Sequence, residues 1–136
     1  MKVVIDTNIF VSSFFGGNPR KVIDLWKNGE IILCLSKDIL NEYIEVLERL
    51  GISQTDIMQL TKLFSDAPNV VFTATTPKLS IIKKDPDDDK FIECAVELGV
   101  KYIITGDKAL LEIGKYSNIK IMNPKDFIQL INFHPI

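Results

Sequence analysis

Lys2-Val3-Val4-Ile5-Asp6-Thr7-Asn8 carries the stretch that decides the fold: three consecutive apolar residues that end abruptly on a carboxylate. A short apolar run without polar alternation is the pattern of a strand covered on both faces in a parallel sheet. Asp6 then lies at the carboxyl end of that strand, which is where open α/β sheets bind their ligands. Ile31 to Leu35 repeats the pattern, as does Tyr102-Ile103-Ile104, which closes on Thr105-Gly106-Asp107. Asn69 to Thr73 and Ile119 to Met122 read as two further strands.

Helical patterns fill the gaps. Thr7 to Phe15 predicts a short helix, broken by Gly16-Gly17-Asn18 before Pro19 opens another that ends at Asn28-Gly29. Ser36 can cap a helix with Ile39, Leu40, Tyr43, Ile44, Leu47 and Leu50 at helical spacing, stopped by Gly51. Ser53 and Asp56 form a weak capping box for the next helix, whose apolar face is Ile57, Leu60, Leu63 and Phe64. After the charged run Lys83-Lys84-Asp85-Pro86-Asp87-Asp88-Asp89-Lys90, a helix continues through Leu98 and Gly99 ends it. Lys108 to Ile113 predicts a short helix, and Asn123-Pro124 opens a last one. Strands alternating with helices imply an α/β three-layer sandwich, a central, mostly parallel sheet flanked by helices, here as one domain over residues 1–136.

Composition is consistent with this. Of 136 residues, 46% are hydrophobic and 25% charged, the balance of a globular domain. Asp6 interrupts the first apolar run too early for a signal peptide or membrane span, so a cytoplasmic protein without membrane association is expected. Cys34 and Cys94 stand among apolar neighbours with no C-x-x-C spacing, which predicts buried free thiols. The lone His134, near the C-terminus, reads as an incidental surface residue. A net charge of -2 lacks the basic signature of many nucleic-acid binders, although bound cations can hold an anionic substrate.

Chemistry concentrates in the carboxylates. Asp6 and Asp107 both follow strand runs, and each could equally cap the helix behind it. On a continuous helix, Asp88 shares the inward face with Phe91, Ile92, Ala95 and Gly99, whereas Asp87 and Asp89 are rotated about 100° to either side and should face solvent. Periodicity does not choose among Glu42, Glu45 and Glu48, which all fall outside their helix's apolar arc. Carboxylates converging in one cleft raise one another's pKa unless a cation compensates, and an all-oxygen set favours Mg²⁺ or Mn²⁺ over zinc.

The ordered motifs Val-Ile-Asp-Thr-Asn (4–8), a helical glutamate, Asp-Pro-Asp-Asp-Asp-Lys-Phe (85–91) and Thr-Gly-Asp (105–107) resemble the PIN-domain nuclease family, most closely its toxin branch from toxin–antitoxin systems. The resemblance runs from Val3 to about Phe127. It places the family's four acids on Asp6, Glu42, Asp88 and Asp107, with Asn8 and Thr105 as supporting polar residues. It implies hydrolysis of RNA phosphodiester bonds with Mg²⁺ or Mn²⁺, a homodimer, and a small antitoxin protein as partner. Lys37, Lys83, Lys84, Lys90 and Lys108 lie near the acidic motifs and could contact phosphates, although solvated surface is the ordinary place for a lysine.

Two other readings compete. A haloacid-dehalogenase-like phosphatase would need a second aspartate where Asn8 stands. A PIN-like RNA-binding or scaffold module would keep the fold without catalysis, and retention of all four acids argues against it.

Overall fold

The computed structural model describes residues 1–133, so His134 lies outside the described residues. Its element order is β1 (Lys2–Ile5), α1 (Thr7–Ser12), α2 (Gly17–Lys27), β2 (Ile32–Ser36), α3 (Lys37–Arg49), α4 (Gln54–Asp66), β3 (Val70–Thr73), α5 (Asp89–Leu98), β4 (Tyr102–Ile104), α6 (Lys108–Ile113), β5 (Lys115–Tyr116), β6 (Ile119–Met122) and α7 (Pro124–Phe133). The six strands form one sheet in the order β3-β2-β1-β4-β6-β5. All pairings are parallel except β5 with β6. Among the described residues, no helix is long and apolar enough to cross a membrane.

From β1 the chain builds outward through β2 to β3, then returns along α5 to place β4 on the other side of β1. Strand order therefore reverses between β1 and β4, the switch point at which α/β sheets open a crevice. Right-handed crossovers put the helices of the outward run on one face and α5 on the other. The packing agrees, with α1 on α3 and α2 on α7, while α5 lies against β1, β2, β3 and β4.

On the first face Phe10 stacks on Tyr43 with ring centroids 4.3 Å apart, and Phe64 packs at 5.7 Å from Phe10 and 5.6 Å from Trp26. Buried in this cluster, the Tyr43 hydroxyl donates to the Ile5 carbonyl, which ties α3 to the end of β1. Burial pushes the thiols of Cys34 and Cys94 up to about 11 and about 12, so both remain neutral packing groups.

Several local expectations shift. The Thr7 to Phe15 helix gives way to a 3-10 turn over Ser13–Phe15, and α2 begins at Gly17 instead of Pro19, with Gly16 and Gly17 both at positive φ, 101° and 71°. Leu50 and Leu63 are exposed, so α3 ends before Leu50 and the buried stripe of α4 narrows to Ile57 and Phe64. β5 has only two residues, too few to show a strand period.

Residues 74–84 form a strap without regular structure, which needs partners for its backbone N–H groups. Two buried carboxylates of α5 provide them. Asp89 accepts from the amides of Ile81 and Ile82, the latter at 2.9 Å, and Glu93, one turn later, accepts from Leu79 at 2.8 Å. This corrects the expectation that Asp89 faces solvent: only Asp87 does. The reason is that Pro86–Asp88 form a 3-10 turn, with Pro86 at its first position. The α-helix begins only at Asp89, so helix phase cannot be run back to Asp88. Replacing Asp89 by Ala should destabilise the protein by about 2 to 3 kcal/mol, through loss of hydrogen bonds to a charged acceptor. Asp87→Ala should stay within about 0.5 kcal/mol of the parent, as chemical denaturation of both variants would show.

Candidate active site

The register of β1 and β4 pairs Ile5 with Ile104, so Asp6 and Thr105 emerge side by side at the switch point. The Asp6 amide donates to the Ile104 carbonyl at 3.0 Å, extending the ladder by one residue. Thr105, fully buried, then bridges the two strand-end acids. Its hydroxyl donates to Asp6 Oδ2 and accepts from the Asp107 amide at 2.9 Å.

Capping and site chemistry share these aspartates. Asp6 Oδ1 accepts from the Ile9 amide and Asp107 Oδ1 from the Ala109 amide, each at 2.8 Å, so both cap the following helix with one oxygen. Burial raises the pKa of Asp6 above 3.8, against the hydrogen bonds from Thr105 and Ile9, and the charge of Asp107 adds to the rise.

Asp88 reaches this centre from the opposite direction, at the end of the 3-10 turn. Asp85, Asp88 and Asp107 each present an oxygen within 4.8 Å of the other two. Asp85 did not belong to the expected set. The signal for it is the Asp-Pro step: Asp85 precedes the 3-10 turn, and the Asp88 amide donates to the Asp85 carbonyl at 3.0 Å, which closes the turn and draws the two residues together.

Among the described residues, Asp88 Oδ2 is buried without a hydrogen-bond partner. Burial, then Asp107, with Asp85 and Asp6 adding, pushes the Asp88 carboxyl up to about 8. Asp107 moves the other way, held low by a hydrogen bond from Asp88 and by the amides of Ala109 and Leu110, against the effect of burial. Burial and mutual repulsion thus separate the two carboxyls in acidity, Asp88 upward and Asp107 downward. An orphaned buried oxygen within an all-oxygen set is the arrangement a hard divalent ion fits.

Glu42 stands at the edge of this group. Its Oε1 accepts from the Thr7 hydroxyl at 2.7 Å, one residue from Asp6, and its Oε2 pairs with the Lys90 ammonium. Burial opposes charge on Lys90, but Glu42 and Asp87 outweigh it and raise its pKa. Asn8 is exposed, and with Asn41, Glu42, Lys78, Ser80 and Lys90 it lines a groove of about 780 Å³ beside the acids. Of the other nearby lysines, Lys37, Lys83 and Lys108 are exposed and Lys84 pairs with Glu112 at 3.4 Å.

An acid centre at the switch point of a mostly parallel sheet has a counterpart among known proteins. Residues 2–109 match the family model for the PIN domain, a span that includes every acid from Asp6 to Asp107, and the chain belongs to the PIN domain family. Membership points to nuclease activity. A relative, the uncharacterized protein MJ1680 of Methanocaldococcus jannaschii, is 33% identical over 145 aligned residues, covering 95% of this chain and 90% of that protein. A solved structure of the PIN domain endonuclease Utp24 is similar with 20% identity and a TM-score of 0.48, covering 88% of this chain and 82% of that one.

The proton on Asp88 has a measurable consequence. Its folded-state pKa of about 8 lies above the ordinary 3.8, so between those values the native state holds a proton that the unfolded chain releases. That stabilising contribution is fully present below about pH 4 and is lost as pH rises towards 8. In chelator, the melting temperature should fall between pH 6 and pH 8, and Asp88→Asn should flatten that slope. Added Mg²⁺ should restore stability most at the alkaline end, where the proton competes least.

Proposed function

We propose that this chain is a metal-dependent endoribonuclease that hydrolyses RNA phosphodiester bonds, with Asp6, Glu42, Asp88 and Asp107 as its working carboxylates. The observation that carries the reading is the convergence of Asp85, Asp88 and Asp107, with Asp88 Oδ2 buried and unpartnered among the described residues, in a PIN-family chain. The all-oxygen donors suit Mg²⁺ or Mn²⁺, held by Asp88 and Asp107 with Asp85 in reach and Asp6 behind them. When bound, such an ion supplies acidified water and offsets charge on the scissile phosphate.

The chain's own groups set the stage for that chemistry. Thr105 and the Ile9 amide hold the two Asp6 oxygens, and the helix-capping bond of Asp107 leaves its second oxygen free to face Asp88. Asn8 and Thr105 act as supporting residues, one on the groove wall and one between the strand-end acids. Both cysteines are buried, which disfavours a thiol nucleophile. Unpaired RNA is the favoured substrate, because its bases can be splayed and its backbone reached, whereas a stiff A-form duplex restricts both.

The motif resemblance extends this reading to the toxin of a toxin–antitoxin pair, cytoplasmic, homodimeric, and blocked by a small antitoxin protein. That extension rests on the resemblance alone.

Incubation of purified protein with a mixture of single-stranded RNAs should give cleavage with Mg²⁺ or Mn²⁺ and none in excess chelator. Asp6→Asn should reduce the rate by about 10³-fold or more, the scale of losing a key catalytic group, with an unchanged circular dichroism spectrum. Robust cleavage in chelator, or full activity of Asp6→Asn, would refute the mechanism.

A further inference from the structure

Glu42 commits both carboxylate oxygens inside the protein, Oε1 to the Thr7 hydroxyl and Oε2 to the Lys90 ammonium. This ion pair is sheltered, with side-chain exposures of 15% for Lys90 and 25% for Glu42. The pairs Arg49–Glu45, Lys78–Asp38 and Lys84–Glu112 all lie on open surface. Lys90 is also 3.8 Å from Asp87 Oδ1, so its charge sits between an acid of α3 and the acidic turn before α5. Glu42 is not among the carboxylates that converge at Asp88.

An ammonium beside a carboxylate offsets its charge much as a metal ion would. We propose that Lys90 is the resident cation of Glu42, so that the centre takes one divalent ion, at Asp85, Asp88 and Asp107. Glu42 is then a positioning residue that works through Lys90 and Thr7, and not a metal ligand. The assignment rests on the metal-nuclease reading and specifies its stoichiometry. If the pair were only an interhelical tie, removing the ammonium would leave metal stoichiometry unchanged.

Mn²⁺ titration of the whole chain, followed by the paramagnetic resonance signal of free Mn²⁺, tests this. The wild-type protein should bind one ion. Glu42→Gln should keep that site within about threefold in affinity, as expected when a partly exposed pair outside the ligand set is lost. Asp88→Asn should weaken it by about tenfold or more. Lys90→Met should admit a second Mn²⁺, and the Lys90→Met/Glu42→Gln double variant should lose it again. Because Lys90→Met leaves Glu42 unpaired and could impair folding, nitrogen-15 spectra of the lysine ammonium groups provide a second readout on wild-type protein. Saturating Mg²⁺ should leave the Lys90 resonance in place, whereas Glu42→Gln should abolish it through solvent exchange. A folded Lys90→Met that still binds one Mn²⁺, a tenfold loss in Glu42→Gln, or release of the Lys90 resonance by Mg²⁺ would overturn the assignment. Two ions bound by wild type would sink the Lys90 assignment alone, while no binding at all would sink the metal-nuclease reading with it.

Discussion

Parallel pairing of β1 with β4 is the constraint on which the rest of the site depends. Residues 99 positions apart, Asp6 and Thr105, become neighbours because the Ile5–Ile104 pairing continues one step beyond the last strand residues. That step lies where the sheet order reverses, so no further strand covers it. A threonine at this point serves two acids at once, donating to one side chain and accepting from the other's backbone. Thr105→Val would keep the shape but leave Asp6 Oδ2 buried without its donor, a polar burial that is costly in a packed interior.

Gathering acids at one crevice sets an electrostatic problem, and the protein answers it differently for each group. Asp6 and Asp107 use helix N-termini, whose free amides and dipole favour negative charge. Glu42 has a hydroxyl and an ammonium. Among the described residues Asp88 Oδ2 has no such partner, and burial and Asp107 push its carboxyl up to about 8. The carboxylate with the least compensation marks the position where an external cation would bring the largest gain.

Buried carboxylates also have a purely structural use here. Asp89 and Glu93 satisfy the amides of the strap and so hold the chain that leads into Asp85 and the Pro86 turn. Adjacent aspartates thereby divide their work: Asp87 is solvated, Asp88 faces the acid centre and Asp89 anchors backbone. One helical phase cannot describe the three, because the chain changes from 3-10 to α geometry within them.

Local chemistry was enough to read the alternating α/β order, the strand-end position of Asp6 and Asp107, and the inertness of the cysteines. Apolar runs, caps and glycine stops act over a few residues, and a strand run shows where its polar end will be. The motif order singled out Glu42, which periodicity alone did not separate from Glu45 and Glu48. Nothing local indicated that Glu42 would meet Lys90, 48 positions away, or that Asp89 would turn inward to a strap with no pattern of its own. Those contacts depend on how α3, α5 and the strap pack together. A charged side chain is buried only where a distant partner compensates its desolvation, and that partner is chosen by the tertiary fold.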